Sequence, residues 1–543
     1  MPYIRSVRLA TLTAASAVAV TLTAPAAHAI TGGTTAGGWN QPLQEVARIT
    51  IGALQRGCTG TLIAPTWVVT AASCFATDPA QGFLIQPGPP PMPTVVQVGD
   101  EASPDKQTMG GGTTGGTANA VQLIPRTDRD VVLVALDRDL GYSGLRVATR
   151  PPAAGEQLDI AGFGRTEKDW VPTKLQVAHT SVSSVSPSSV GIAGASSTCR
   201  GDAGGPTLRG GVSDNAEVAA IHGPSWQYGC FAETGKNNGA TEIRLDDIYP
   251  WILQNVPDVR AICSGGTKLL ATRGGGAWNS THLDNTNNLR PLAPLTGTGH
   301  WDDLTPVTAT DIPALSGTVR QGWGLWEVHR KNGPQDPVAD GDLRQTAYRY
   351  SDPTATRMTT ITAARGWQRF LDPSHSNQIT VENVYLEEHI YTIGANGELR
   401  LFRWDDFYDK WVNPDGEVID TGWDKYDSIT ATGDGVIYAR TSDGRLMRFR
   451  YDIANHTWTQ RDKQIATGWN VFSQIFSPGA DILYATGATK NGTPTVRWYQ
   501  YYPELDTWAP GDPDGLGKIA GQGDRWSSAY QFIATQGTCK VKP

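Results

Sequence analysis

Charged residues are scarce in this sequence, and no apolar run is long enough to span a membrane. Acidic and basic side chains make up only 18% of the 543 residues and leave a net charge of −8. That balance provides no broad cationic field, so neither nucleic acid nor an anionic membrane surface is expected as a partner. Membrane insertion is not expected either, because a spanning helix needs about 20 consecutive apolar residues.

The first 29 residues have the composition of a secretory signal peptide. Arg5 and Arg8 give a positive start, and Leu9–Leu22 is mostly apolar or small. Ala27-His28-Ala29 then forms an A-x-A cleavage site. We therefore expect residues 1–29 to be removed and the mature protein to be secreted into the extracellular space.

Cysteine is scarce as well, at six residues. No two of them lie at C-x-x-C spacing and no histidine clusters with them, which argues against a metal site. An even number of cysteines in an exported chain is instead typical of disulfides. We expect no metal and no cofactor.

The length and composition predict more than one strand-rich domain. A chain of 543 residues exceeds what one hydrophobic core usually serves. The sequence also contains 61 glycines and 18 tryptophans, and its short β-branched runs, such as Val46–Ile51 and Val131–Leu136, are bounded by turn formers. An all-β fold follows.

Four ordered motifs between Ile30 and Val256 resemble the chymotrypsin and trypsin-like serine proteases. They are Ile30–Gly33, Trp67–Cys74, Cys199–Pro206 and Asp247–Leu253. The resemblance implies a double β-barrel over residues 30–257. Within that frame, Asp130 stands at the position of the catalytic aspartate, Ser73 at that of the histidine and Ala203 at that of the serine.

The resemblance predicts a protease homologue without catalysis. Loss of the serine or the histidine of such a triad lowers turnover about a millionfold. Asp130 remains only as a remnant, although the backbone N–H groups of Gly201 and Ala203 still stand where the family builds its oxyanion hole. The alternative is an active, secreted trypsin-like endopeptidase with replacement residues, but neither His179 nor His222 lies in a motif that would supply a new base.

Further roles are implied by the same resemblance. Ile30 would be the mature N-terminus, whose α-ammonium pairs with Asp202. Ser197, Ser225 and Gln227 would form the specificity pocket, where a serine at 197 implies a neutral pocket and the side chain of Gln227 narrows it.

The resemblance also implies two disulfides, Cys58–Cys74 and Cys199–Cys230. Cys263 and Cys539 bracket the C-terminal half of the chain, and we expect them to pair with each other. That bond would join the two ends of a long segment.

A repeat of about 47 residues occupies the C-terminal half. Three units begin at similar segments, Ile390–Thr392, Ile437–Ala439 and Leu483–Ala485. Each is followed by a dipeptide that favours a tight hairpin, namely Asn396-Gly397, Asp443-Gly444 and Asn491-Gly492. Each unit closes on a tryptophan, at Trp423, Trp469 and Trp526. Weaker copies near Leu269 and Leu325 bring the count to five.

Strand repeats of this length predict a β-propeller, because one small sheet cannot bury both of its faces alone. The spacing and the Gly-Trp signature resemble the tachylectins, which are sugar-binding propellers. We therefore expect a linker at residues 258–268 and a five-bladed propeller at 269–543.

The expected partners are glycans or glycoconjugate surfaces, together with a protein ligand of the first domain. No residue is assigned to sugar binding, because periodic tryptophans usually fill the cores between blades. A further interpretation is a protein-binding scaffold whose propeller has lost its affinity for sugars.

Overall fold

The computed structural model describes residues 30–542 with gaps, so the expected signal peptide lies outside the described residues. The gaps are 37–40, 100–115, 171, 173, 195, 212–215, 257–258, 264–266, 274–275, 283–292, 295–303, 313–321, 330–340, 350–356, 372–377, 385–386 and 528–530. No helix in the described ranges has the length and apolar character that crossing a membrane requires.

The N-terminal half consists of short strands and few helices. The strands are β1 (Thr34–Thr35), β2 (Val46–Ile51), β3 (Arg56–Ala64), β4 (Trp67–Thr70), β5 (Thr94–Val98), β6 (Gly116–Pro125), β7 (Val132–Leu136), β8 (Arg146–Val147), β9 (Gln157–Gly162), β10 (Gln176–Val185), β11 (Ser189–Ala193), β12 (Pro206–Arg209), β13 (Glu217–Ser225) and β14 (Ala240–Arg244). The helices are α1 (Gln41–Gln44), α2 (Tyr249–Asn255) and 3₁₀ turns at Ala72–Phe75 and Asp246–Ile248.

These strands form two barrels, which confirms the double-barrel prediction. The first barrel closes in the order β2-β3-β4-β7-β6-β5. The second runs β10-β11-β14-β13-β12-β9 and closes because β9 also pairs with β10, while β1 and β8 attach outside this ring. Closure leaves no unpaired strand edge in either ring.

A core shared by both barrels holds them together. Ile63 and Leu133 of the first barrel pack in one cluster with Leu208 and Ile221 of the second, and Ile252 of α2 covers the seam. Each of these side chains is fully buried, which contributes roughly 1.5–3 kcal/mol apiece.

The C-terminal half continues with β15 (Ala261–Cys263), β16 (Thr267–Arg273), β17 (Gly276–His282), β18 (Ala293–Pro294), β19 (Leu304–Ile312), β20 (Gly322–His329), β21 (Leu343–Arg349), β22 (Arg357–Ala364), β23 (Ile379–Val384), β24 (Glu387–Ile393), β25 (Leu399–Asp405), β26 (Lys410–Trp411), β27 (Glu417–Asp420), β28 (Tyr426–Ala431), β29 (Val436–Thr441), β30 (Leu446–Asp452), β31 (Thr457–Ala466), β32 (Gln474–Gly479), β33 (Ile482–Lys490), β34 (Thr493–Tyr502), β35 (Thr507–Trp508), β36 (Lys518–Gln522), β37 (Gln531–Gln536) and β38 (Cys539–Val541). Short 3₁₀ turns lie at Trp367–Phe370, Trp469–Val471 and Asp524–Trp526.

These strands form a propeller arrangement, but the blade count differs from the five expected. The described propeller strands from β16 to β37 form four sheets. The reason is that β37 pairs antiparallel with β16 and parallel with β19, which merges the first and last repeat units into one eight-stranded sheet. Because β37 also lies against β32, the last inner strand closes the ring.

Each blade is buried on both faces by its neighbours. Along β29, Ile437 and Ala439 enter one core while Val436 and Tyr438 enter the next, so every residue of this strand is buried. This is why a single repeat cannot fold alone.

Candidate functional site

Ser73 and Asp130 meet at one end of the first barrel. β4 pairs with β7 so that Thr70 lies opposite Val132, which brings the turn after β4 beside the turn before β7. The Ser73 hydroxyl donates to Asp130 Oδ2 at 2.7 Å, and the Ser73 N–H donates to Oδ1 at 2.6 Å. Both oxygens of this carboxylate are therefore engaged by one residue.

Ala203 lies beside this pair, on the loop that leads into β12. Its carbonyl oxygen accepts the Thr59 N–H at 3.1 Å and lies 3.8 Å from Cys74 Sγ. Its methyl group packs, half-buried, against the core of the first barrel. The fold thus brings together the three positions that the sequence singled out, and it places a methyl group at 203.

The two histidines considered above lie elsewhere. His179 of β10 is exposed and pairs with Asp159 of the same barrel. His222 of β13 is fully buried, with Nδ1 2.6 Å from Glu242 Oε2 and Nε2 3.1 Å from the Ala161 carbonyl. Neither hydrogen bond set includes Ser73 or Asp130.

Asp202 is buried beneath the loop that carries Ala203. Its carboxylate accepts the N–H groups of Gly164 at 2.7 Å and Cys199 at 2.8 Å. Burial raises its pKa to about 7. A Cβ on Gly162 would lie 2.0 Å from Asp202 Oδ1, so this position requires glycine.

Ile30 occupies the second barrel close to the same loop. Its side chain is fully buried beside Ile160 and Ile192. The next residue, Thr31, donates its N–H to the Ser197 carbonyl at 3.2 Å. The ion pair of the Ile30 terminus with Asp202 stays a prediction.

The residues expected to form a specificity pocket do lie together. Ser197 Oγ is 3.3 Å from Ser225 Oγ, and the Ser225 hydroxyl donates to the Thr198 carbonyl at 2.5 Å. The Gln227 N–H donates to Ser225 Oγ at 3.0 Å, in a residue whose φ of +55° is left-handed. No charged side chain enters this set of hydrogen bonds among the described residues.

All three expected disulfides are present, linking Cys58 to Cys74, Cys199 to Cys230 and Cys263 to Cys539. The third joins β15 to β38, which also pair as antiparallel strands. Across the described ranges, no group of three or more His, Cys, Asp or Glu side chains is placed to hold a metal ion.

In the propeller, the repeat tryptophans Trp423, Trp469 and Trp526 are each at most 5% exposed. They fill cores between blades, as expected, and are not available to stack on a ligand. A cleft of about 350 Å³ opens near the Asn396-Gly397 hairpin, and Arg369, Phe370, Asn396, Arg400 and Asp415 are among the residues that line it.

Comparison with known families identifies one domain in each half of the chain. The sequence model of the trypsin family matches residues 30–252. The tachylectin model matches residues 338–529. The chain joins a trypsin-family domain to a tachylectin domain. The trypsin-family domain is similar to Trypsin beta of Drosophila erecta, with 24% identity over 223 residues that cover 36% of this chain and 78% of that protein.

The close contact between the two domains was not predicted from the sequence. Tyr502 of the tachylectin domain is buried in the main core of the trypsin-family domain. Lys542 Nζ donates to the Ile63 carbonyl of the first barrel at 2.5 Å. Arg260, between the domains, bonds to Asp481 at 2.9 Å and to Glu504 at 3.1 Å.

The sequence interpretation also missed an aromatic rim around Cys230. We define the rim as Trp170, Trp226, Tyr228 and Phe231, all of them exposed. The rings of Trp170 and Phe231 meet edge to face at 6.0 Å. A signal was available in the sequence, since three of these four aromatic residues lie within six positions around Cys230.

Proposed function

We propose that this is a secreted, non-catalytic trypsin-family protein whose tachylectin domain binds carbohydrate. The observation that carries the first part is the hydrogen bond of the Ser73 hydroxyl to Asp130, with only a methyl group at residue 203 beside it. Among the residues that the structure describes, Ser73 is the side chain that is hydrogen-bonded to Asp130, and its hydroxyl lacks the basicity to activate a nucleophile.

The energetic argument for lost proteolysis is strong. A positioned base and nucleophile act as one unit, so removing either costs about a millionfold in turnover. What remains is stabilisation by backbone N–H groups, which provides roughly a thousandfold to ten-thousandfold over water. That rate is too low for useful proteolysis.

A fluorophosphonate probe tests this part, with active trypsin as the positive control. We expect no labelling of the full-length protein, because there is no activated serine to form the adduct. The double variant Ser73→His, Ala203→Ser supplies both missing groups and serves as the matched comparison. A specific adduct on residues 30–257 of the unaltered protein would contradict the proposal.

Support for carbohydrate binding comes from the tachylectin match and from the cleft beside Asn396. Arg400 in this cleft donates to the Asp415 carbonyl at 3.2 Å and to Glu398 at 2.8 Å. Guanidinium, amide and carboxylate groups in a concave site suit the hydroxyls of a sugar. Repetition of weak sites around the ring would add avidity on a glycan surface.

A glycan array probed with the full-length protein tests the second part. The intact chain is required, because Tyr502 belongs to the core of the other domain. We expect binding to at least one glycan class and weaker binding by an Arg400→Ala variant. Arg461→Ala, an exposed arginine outside the cleft, is the control. Silence across all glycans would remove this part of the proposal.

Secretion is proposed from the N-terminal composition and is supported by the three disulfides, which persist in oxidising compartments. Detection of the protein, beginning at Ile30, in the culture medium tests it. Retention of the intact N-terminal segment inside the cell would contradict it.

A further inference from the structure

We propose that this protein forms a two-fold symmetric dimer with a second copy of its own chain, through an exposed aromatic turn of the tachylectin domain. The turn comprises residues 405–411 and joins β25 to β26. Dimerisation depends neither on the loss of catalysis nor on sugar binding, because this turn lies outside the Ser73–Asp130 pair and outside the cleft beside Asn396.

Three repeat units of the tachylectin domain contain the same turn. Turn 1 is residues 405–411, turn 2 is residues 452–458 and turn 3 is residues 502–508, and each ends on a tryptophan. Two positions before that tryptophan the backbone is left-handed, with φ of +50° at Asp409, +51° at His456 and +52° at Asp506. The residues flanking each turn pair across the two strands, as Asp405 with Lys410, Asp452 with Thr457, and Tyr502 with Thr507. Positions in the three turns can therefore be compared one by one.

Turn 3 packs against the trypsin-family domain of the same chain. Tyr502 is buried in the main core of that domain, and Leu505 and Ala509 pack against the same core. Leu505 lies three positions before the tryptophan of its turn, and Ala509 lies one position after it. Apolar side chains at these two positions thus form an edge that docks on another surface.

Turn 2 shows that the propeller itself does not require apolar side chains there. Its equivalent residues are Asn455 and Thr459, and both are exposed. The Asn455 side-chain amide donates to Asp452 Oδ2 at 2.8 Å within the turn. The same backbone is therefore compatible with a polar turn that faces solvent.

Turn 1 carries apolar side chains at these positions, and the described part of the chain leaves them open to solvent. Tyr408 is 64% exposed, Val412 is 46% exposed, and the neighbouring Phe407 is 52% exposed. The Phe407 and Tyr408 rings meet edge to face at 4.7 Å, and Lys410 Nζ lies 4.7 Å from the centre of the Tyr408 ring. Exposed aromatic side chains with a charged border are typical of protein interfaces.

Hydrogen bonds hold turn 1 in one conformation. Asp405 Oδ1 accepts the N–H groups of Phe407 and Tyr408, each at 2.9 Å. At the other end of the turn, the Trp411 indole N–H donates to the Ala363 carbonyl at 2.7 Å. Because the turn is already ordered, little conformational entropy is lost when a partner covers it.

A second copy of the chain is the partner that fits turn 1. Asp409 and Lys410 are adjacent, so the turn carries charges of both signs beside its rings. When two such turns meet across a two-fold axis, the lysine of each copy can approach an aspartate of the other while the rings cover each other. The surface of the trypsin-family domain that receives turn 3 is already filled by turn 3 of its own chain, so a second copy cannot offer it to turn 1.

Sedimentation velocity of the full-length protein, over about 1 to 100 µM, tests the proposal. We expect the mass of a dimer at the highest concentration and dissociation towards the monomer on dilution. A monomer at every concentration would overturn the proposal. Masses that rise beyond two copies would also overturn it, because they indicate a contact between unlike surfaces that does not close.

Turn 2 supplies the residues for a matched variant. Tyr408→Asn combined with Val412→Thr gives turn 1 the side chains that turn 2 carries, so the fold should be retained. We expect the dissociation constant of the dimer to rise about tenfold or more, because the variant removes an aromatic anchor from the centre of the interface. Val471→Thr, at a 52% exposed position in the turn of another repeat, is the control and should leave that constant unchanged. Equal effects of the two variants would contradict the role of turn 1.

Crosslinking tests the two-fold symmetry. All six native cysteines are in disulfides, so Val412→Cys introduces a single free thiol. At a concentration where the unaltered protein is a dimer, a short bismaleimide should link two copies of Val412→Cys, because the axis brings equivalent residues together. It should not link two copies of Val471→Cys. Linking of both variants to the same extent, or of neither, would overturn the proposal.

Discussion

Replacing Cys263 and Cys539 together by alanine removes the covalent closure of the propeller ring. The two residues are separated by 276 positions in the sequence. If this disulfide acts by restricting the unfolded chain, its removal lowers the free energy of unfolding by about 5 to 6 kcal/mol. The paired strands β15 and β38 remain, so the folded ring should persist at a lower stability.

The control is the corresponding double alanine variant of Cys58 and Cys74. These residues are separated by only 16 positions, so the same loop-closure relation predicts that the free energy of unfolding falls by about 3 kcal/mol. Alanine leaves no unsatisfied polar atom at either site, and three of the four cysteines are buried to a similar degree. The comparison therefore isolates the length of the closed loop.

Guanidinium unfolding followed by far-UV circular dichroism measures both losses, because the strands of both domains contribute to that signal. Tryptophan fluorescence identifies the transition of the tachylectin domain, because 13 of the 18 tryptophans follow Cys263. The variant without Cys263 and Cys539 should unfold at a lower guanidinium midpoint than the variant without Cys58 and Cys74. A loss for Cys263 and Cys539 no larger than that for Cys58 and Cys74 would refute the explanation by loop closure.

Three further predictions concern buried groups. Burial alone would lower the pKa of His222, but the Glu242 carboxylate at 2.6 Å outweighs it and raises the pKa above 6.5. The stability from this pair is complete below about pH 6.5 and is lost as the pH rises through the raised value. The midpoint temperature of thermal unfolding, measured as a function of pH, should show this loss of stability in the unaltered protein. The same profile should be flatter for His222→Gln. A chain that begins at Ile30 should be more stable than one with an extra N-terminal glycine by about 1.5–3 kcal/mol, because its α-ammonium can pair with the buried Asp202. Asp202→Asn should abolish that difference in denaturant unfolding, and equal stability of the two termini would exclude the ion pair. Tyr502→Ala should cost about 3 kcal/mol and separate the unfolding of the two domains into two calorimetric transitions. A single, unshifted transition would show that the shared core does not couple them.

Much of the candidate site could be predicted because each motif is local. Residues 199–206 form one turn, and the turns that carry Ser73 and Asp130 are held by a strand pairing that the double barrel requires. The serine at 73 and the alanine at 203 are properties of the sequence alone, and the proposed loss of catalysis rests on them. Hairpin dipeptides and regularly spaced tryptophans likewise indicate a propeller, since local backbone preference and burial set both patterns.

Other features depend on contacts between residues that are far apart in the chain. The merging of the first and last repeat units through β37 changes four-stranded blades into a larger sheet, and no local pattern specifies which edges meet. The burial of Tyr502 in the other domain also follows from packing alone. The sequence by itself therefore determined the fold class, the cysteine content and the residue types at positions 73 and 203, because these depend on residue identity and short-range geometry. Only the tertiary structure decided which surfaces are buried and which strand edges meet, because those depend on what the folded chain places against each residue.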